Sequence, residues 1–466
     1  MRHARGVAAA LTALPAVAFA QLDPPAFPGA IGYGRHATGW RGGAVVAVTT
    51  LEDAGAGSLR ACAEDRSGPR VCVFSVSGDI FLDSPIMVAS NVYIAGQTAP
   101  GEGVQLRLGN ASASPLVIES AEDVVIRFLK IRPGPGAHPS STVDGVTIAR
   151  SRKVYLDNLS IAFATDENLN IHAGPEPASD ISVTDSIIAW ALDRSNHPNG
   201  AHSKGALICS MGKAPGPCGR VSLRGNLFAN NRDRNPEVKG AGLGPIDVVG
   251  NVFFNPLSEF AEIYNDAGDT RVNFVGNVAI PGPSTRSAPR PPAARIDRRR
   301  DDAVLEVYAP FGSGDTVAPC GGGAAPPLGG DAAVDAAAVR PVAPLRPHAT
   351  SPVDIVWTVL SVAGARSPAA FGPDRLDRRL LDEVTACEGR IVDHPRDVGG
   401  WPVLERRNGP PDSDGDGMPD FYEALRPWLD PRRAGAWEDP DGDGWSNLET
   451  YLAARAGDPV ERSPTR

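Results

Sequence analysis

The 466-residue sequence is short of basic charge: 45 Lys and Arg stand against 55 Asp and Glu, a formal net charge of −10. A nucleic-acid coat is excluded on that ground, because neutralising phosphates needs a net basic surface. The sequence contains no Cys-x-x-Cys, so a thiolate zinc site is not expected. After residue 20 no apolar run approaches the roughly 18 to 20 residues that span a bilayer, so no membrane partner is expected. Aromatic residues are scarce at 6%, yet 42% of the chain is hydrophobic and 21% charged, which excludes disordered, collagen-like and small disulfide-scaffold classes. Gly 51 and Pro 44 together make about a fifth of the chain, which implies many turns and argues against an all-helical protein.

Residues 1–20 read as a secretory signal peptide. Arg2 and Arg5 form a basic start, an Ala/Val/Leu stretch follows, and Ala18-Phe19-Ala20 offers a small-residue cleavage site before Gln21. The expected product is a soluble, secreted, extracellular protein. The six cysteines suit an oxidising destination, and their positions suggest the pairs Cys62 with Cys72, Cys209 with Cys218 and, by elimination, Cys320 with Cys387. Free buried thiols are the alternative, since a chain of this size does not need disulfides to fold.

Short, β-branched, alternating segments recur at 92–94, 124–128, 154–158, 181–185, 221–223, 247–249 and 272–275. The last three are followed by Gly225-Asn226, Gly250-Asn251 and Gly276-Asn277, each leading into an apolar run. An interval of 25 or 26 residues between asparagines is too short for a βαβ unit of some 30 residues, but it suits a coil of three short strands and three turns. The expected fold is therefore all-β, a right-handed parallel β-helix over 21–286. Asn226, Asn251 and Asn277 would stack at one corner as an amide ladder. An antiparallel sandwich also gives short strands, but predicts no aligned asparagines. Ala56 to Ala61 should begin the N-terminal cap that a solenoid needs. Residues 287–352, rich in Pro, Ala and Gly, read as a poorly ordered excursion. Then follow a partly helical segment over 353–408, a small calcium-loop segment over 409–455, and a flexible tail over 456–466.

The loop segment holds two acidic repeats. Asp412, Asp414, Asp416, Asp420 and Glu423 occupy positions 1, 3, 5, 9 and 12, with Gly417 at 6, the spacing of a Ca²⁺ loop. Asp439, Asp441, Asp443 and Asn447 repeat positions 1, 3, 5 and 9 with Gly444 at 6, but Thr450 stands at 12, so this loop should bind more weakly or recruit Glu449. A solvated acidic turn is the plain alternative, and the glycines at position 6 argue against it. Such ions commonly staple a small domain rather than catalyse. On the repeats, Asp144 and Asp166 fall in neighbouring coils and Asn170 lies four residues beyond, an even interval that lets Asp166 and Asn170 share a face. Downstream, Arg232, Arg234 and Lys239 form a cationic patch to which Lys204 can add. Ordinary surface charges are the alternative for each. A carboxylate cluster beside a cationic patch suits a polyanionic sugar bridged by calcium.

Phe27-Pro28-Gly29-Ala30, Ile94-Ala95-Gly96-Gln97-Thr98-Ala99-Pro100-Gly101, Val125-Ile126-Arg127-Phe128-Leu129, Ser203-Lys204-Gly205 and Arg234-Asn235-Pro236 resemble motifs of the secreted pectate lyases of polysaccharide lyase family 1. The likeness runs from about Ala26 to Asn277 and resumes at Val398-Gly399-Gly400-Trp401-Pro402 and the tandem EF-hand-like loops. It implies a Ca²⁺-dependent enzyme that cleaves de-esterified polygalacturonate, the backbone of pectin, by anti β-elimination. By the same resemblance Arg234 is the base, Asp144, Asp166 and Asn170 stand at calcium-ligand positions, and Lys204 and Lys239 bind substrate; Arg232 joins the substrate-binding set from the cationic patch. Three departures stand out. Asn170 replaces an acidic ligand, Lys239 replaces an arginine and cannot fork bidentately, and Asp157-Asn158 replaces Asp-His. A monomer is expected. Calcium, Arg232 and Lys239 near Arg234 would disfavour its cation and give an alkaline optimum.

Two other functions fit the same fold. A β-helix hydrolase would need a carboxylate pair for acid and base work, and the repeats contain neither Asp-Asp nor Gly-His-Gly. A non-catalytic pectin-binding module would keep the polymer contacts and lose turnover.

Overall fold

The structure, a computed structural model, describes residues 24–212, 216–285, 291–309, 320, 328–330, 351–366 and 371–459. The expected signal peptide lies outside the described residues. Strands repeat in threes, and each pairs in parallel with its counterparts one coil before and one coil after. The result is a right-handed parallel β-helix with three walls of ten, nine and eight described parallel strands, Arg407–Asn408 adding a short antiparallel edge to the third. The first wall runs from Ala44–Val48 to Leu305–Tyr308, the second from Ile86–Val88 to Leu328–Gly330, and the third from Val76–Leu82 to Val278–Ile280. All seven segments read from the sequence fall in the first wall.

Register explains the core. Ile126, Leu156, Val183, Leu223, Val248 and Phe274 stack as partners along the first wall, and each is almost fully buried. Parallel sheets require this continuous apolar interior, which the hydrophobic effect stabilises. The asparagine ladder is present at the first corner. Asn226 Nδ2 donates to Asn251 Oδ1 at 3.0 Å, and Asn251 Nδ2 donates to Asn277 Oδ1 at 3.0 Å. The backbone amides of Asn226 and Asn251 use the same two acceptors, so buried turn groups are satisfied. The N-terminal coil is closed by the helix Leu59–Ala63, capped by the Ser58 hydroxyl and tied through Cys62–Cys72. Cys209–Cys218 and Cys320–Cys387 are also paired.

Two walls are covered on their outer faces. Val71, Val73, Tyr93, Val125 and Tyr155 on the first wall pack under Phe27 and Trp40 from one terminus and Met418, Leu448 and Tyr451 from the other. The third wall packs Ala162, Ile187, Leu227, Val252 and Val278 against the helices Pro352–Val362 and Arg375–Ala386. A buried network holds the second of these helices down: Arg132 reaches Asp374 at 2.7 Å and Asp377 at 2.6 Å. On the second wall the outward residues Val117, Thr147, Asn170, Lys204 and Lys239 stay half-buried.

Two expectations are corrected. Within 287–352 the described residues Ala294–Asp297, Leu305–Tyr308 and Leu328–Gly330 continue the first and second walls, because an existing edge supplies register to strands too short to declare themselves. Residues 456–459 are not loose: Ala456 packs with Phe128 and Phe371, and Asp458 accepts from buried Arg127 at 2.7 and 2.8 Å.

Candidate active site on the second wall

The second wall gathers the sequence-derived candidates. Asp144 lies just before the strand Val146–Ala149, and Gly145 permits its approach, since a Cβ there would lie 2.5 Å from the Asn168 carbonyl oxygen. Asp166 precedes the next strand, Glu167–Ala173, whose Asn170 pairs in register with Thr147. Carboxylate oxygens of Asp144, Asp166 and Glu167 all lie within 4.8 Å of one another. Asn170 joins them differently, with its Nδ2 donating to Asp144 Oδ2 at 3.3 Å while its Oδ1 accepts from Ser210. Its amide hydrogens therefore face the carboxylates.

Burial, then Asp166, pushes the Asp144 carboxyl up to about 6. Burial, then Asp144 and Asp166, drives Glu167 well above its ordinary value against the pull of Arg234. Burial works the same way on Asp166, but the hydrogen bonds from His202 and Glu167 and the nearby His202 and His197 together outweigh it and hold that carboxyl low. His202 Nε2 lies 2.7 Å from Asp166 Oδ1 and its ring stacks on His197 at 3.8 Å.

Arg234 reaches back from two coils further on, where its neighbour Asp233 bridges to Lys204 and Lys204 in turn pairs in register with Glu167. Arg234 Nη1 donates to Glu167 and its Nε to Glu237 at 2.8 Å. Burial disfavours this guanidinium, yet Glu167 and Glu237 outweigh burial and raise its pKa further. This reverses the expectation that its neighbours weaken the cation. Arg232 pairs with Asp193 at 2.5 Å, and Lys239 is held by Glu237 at 2.8 Å. Lys204 is held by Asp233 at 2.6 and 2.8 Å. So Asp144, Asp166, Asn170 and Arg234 converge, with Lys204 and Lys239 on the same wall, whereas Arg232 is committed to a separate ion pair.

Sequence reasoning missed Glu167, Glu237 and the histidine pair. Glu167 shares parity with the inward residues Leu169 and Ile171, so alternation alone assigns it to the core. The turn before the strand lets it face Arg234 instead.

The C-terminal loops lie apart from this wall. Asp412, Asp414 and Asp416 bring carboxylate oxygens within 4.8 Å of one another, and so do Asp439, Asp441 and Asp443. Asp420 instead accepts from Ser413, both from its amide and from its hydroxyl. Asn447 donates to the Gly435 carbonyl at 3.0 Å. Glu423 is fully buried, and burial, then Asp416, Asp414 and Asp412, pushes its carboxyl up to about 7.

No protein-family model matches the chain. Among curated proteins it is 33% identical over 430 residues to the probable pectate lyase C of Emericella nidulans, covering 91% of both chains. It is 31% identical to that of Aspergillus flavus, covering 91% of this chain and 93% of the relative. Among solved structures, the cedar pollen allergen Jun a 1 aligns at 15% identity with a TM-score of 0.49, over 72% of this chain and 92% of that one. The chain is thus a polysaccharide lyase built on a β-helix. Within that class it belongs to the pectate lyase family.

Proposed function

We propose that the chain is a secreted, Ca²⁺-dependent pectate lyase that cleaves de-esterified polygalacturonate by anti β-elimination, leaving 4,5-unsaturated oligogalacturonides. One observation carries this reading: Arg234 meets a buried cluster of three carboxylates on the wall whose outward side chains stay half-buried. The leader and three disulfides support secretion.

The donor set fits calcium, since Asp144, Asp166 and Glu167 offer hard carboxylate oxygens beside a single guanidinium. When bound there, Ca²⁺ supplies positive charge at the uronate carboxylate, where negative charge gathers as the C5 proton leaves. Arg234 removes that proton, the C5–H electron pair becomes the C4–C5 double bond, and the C4–O bond breaks. The glycosidic oxygen leaves with a proton from water. Arg234 acts only in its neutral form, and the glutamates at its side keep that fraction small until the pH is alkaline. Lys204 and Lys239, lifted from Asp233 and Glu237, offer point-charge donors to further uronates along the wall. Asp412, Asp414, Asp416 and Glu423 hold a second ion whose role is structural.

The test incubates the mature chain with polygalacturonate at alkaline pH, with Ca²⁺ and again with a chelator. Ultraviolet absorbance of an unsaturated uronide, growing only with Ca²⁺, is the expected result. Reducing ends without that absorbance would make the chain a hydrolase. Binding without either product would make it a pectin-binding module.

A further inference from the structure

The two C-terminal acidic loops share a backbone and differ in the carboxylate that closes them. In the first, Asp412 accepts from the amides of Gly415 and Gly417, each at 2.9 Å. In the second, Asp439 accepts from Gly442 at 2.8 Å and Gly444 at 3.0 Å. These internal bonds are equivalent, so they do not separate the loops.

The closing groups do separate them. Glu423 is 0% exposed, and neither of its oxygens has a hydrogen-bond partner among the described residues; Asp414 Oδ2 is likewise unpartnered. A buried carboxylate left this way is costly unless something positive meets it. Asp412, Asp414 and Asp416 press on it instead, and among the described residues no hydrogen-bond or ion-pair partner supplies that charge. In the second loop the nearest equivalent is Glu449, and both of its oxygens are taken. Oε1 accepts from Arg41 Nε at 2.5 Å. Oε2 accepts from the Ser446 amide at 2.9 Å and hydroxyl at 2.8 Å. Arg41 is itself fixed, donating to the Pro25 carbonyl at 2.7 Å and lying 5.1 Å from the Trp445 ring centre. Thr450, at the twelfth position, brings a hydroxyl and no charge.

We infer that the first loop binds one divalent cation through Asp412, Asp414, Asp416 and Glu423, and that the second binds none because Arg41 has captured Glu449. The inference deepens the structural part of the calcium reading, and its second half says where that reading stops. Arg41 belongs to the segment that covers the first wall, so the Arg41–Glu449 pair clasps the C-terminal segment to the β-helix without an ion.

The experiment counts bound Ca²⁺ by equilibrium dialysis of the full mature chain and of three variants. The wall site contributes equally to all four, so differences report the loops. Glu423→Gln should lose one equivalent, Asp441→Asn should lose none, and Arg41→Gln should gain one as Glu449 is freed. An ion lost from Asp441→Asn, no loss from Glu423→Gln, or no gain from a folded Arg41→Gln would each overturn the inference. Should Arg41→Gln unfold, Arg41→Lys serves instead: it keeps the charge near Glu449, and the expected count is unchanged. A gained ion there would overturn the role of Arg41. Lyase activity is followed in parallel, so failure of the catalytic reading shows as missing turnover with the loop counts intact.

Discussion

The carboxylates of the second wall and those of the first C-terminal loop are both crowded and buried or half-buried, yet they are balanced in opposite ways. On the wall, Glu167 faces the Arg234 guanidinium and Asp166 lies within hydrogen-bond reach of His202, so protein groups already meet these carboxylates. In the loop, the charges that press hardest on Glu423 are the carboxylates of Asp416, Asp414 and Asp412, and among the described residues its oxygens have no hydrogen-bond partner. On the reading proposed above, the difference separates two uses of one metal: calcium on the wall would serve the substrate, and calcium in the loop would complete the fold. A β-helix wall is held by its ladder of strands, whereas a loop of few residues has little else to hold it.

The largest expected effect breaks the wall side of this comparison. Arg234→Ala should lower turnover by about 10²–10⁴-fold, the usual contribution of a positioned base, and should also lower thermal stability, because buried Glu167 and Glu237 lose their partner. Initial rates by ultraviolet absorbance and a melting curve on the same sample check both halves. Next comes Glu423→Gln, which should leave turnover at saturating Ca²⁺ close to that of the parent and abolish the stabilisation by loop-bound calcium. At about a hundredfold excess over Kd that stabilisation amounts to about 2.7 kcal/mol in the parent. Denaturant unfolding with and without chelator reads it. Loss of turnover without loss of stability would show that the loop serves the reaction.

A smaller effect sharpens the comparison with a carboxylate that sits on the wall but follows the logic of the loop. Glu262 accepts from Tyr264 and has no ion pair among the described residues, and burial pushes its carboxyl up to about 7. Its folded pKa lies above the unfolded value. Protonated Glu262 is thus compatible with the fold at low pH, and stability falls as pH rises from about 4.5 through about 7. Glu262→Gln should match the parent near pH 4 and exceed it by about 3 kcal/mol at pH 8, measured by urea unfolding. Equal stability at both values would mean that the wall solvates this carboxylate.

Much of this architecture is legible in the chain. The first wall declares itself because its strands reach four to seven residues with β-branched alternation, and the spacing of Asn226, Asn251 and Asn277 announces the coil. The third wall is hidden, because strands such as Leu129–Ile131 and Ser160–Ala162 are too short to carry a period. Ala294–Asp297 is hidden for a related reason: Pro and Ala around it suggest an excursion, and only the edge at Ala261–Tyr264 makes it a strand. Asp144, Asp166 and Arg234 are legible as residue types at a repeat spacing. Glu167 is not, since its placement depends on how one turn enters a strand, and neither is the capture of Glu449 by Arg41, which are 408 residues apart.

The smallest expected effect tests whether Arg234 is a base or only a cation that binds substrate. Glu237 splits its carboxylate between Arg234 Nε and Lys239 Nζ, both at 2.8 Å, so it is a partner that steadies the protonated guanidinium. Glu237→Gln keeps the shape and a carbonyl acceptor but removes the charge. The Arg234 cation is then less favoured, and its neutral form is reached at lower pH; a neighbouring opposite charge is commonly worth about one pH unit or more. If Arg234 takes the C5 proton, the rising limb of rate against pH should move about one pH unit towards acid, and the rate on that limb should rise about tenfold. If Arg234 merely holds a uronate carboxylate, the limb should stay in place, because a binding cation is fully charged across the whole range. The direction of the shift therefore distinguishes the two roles even where the magnitude is modest.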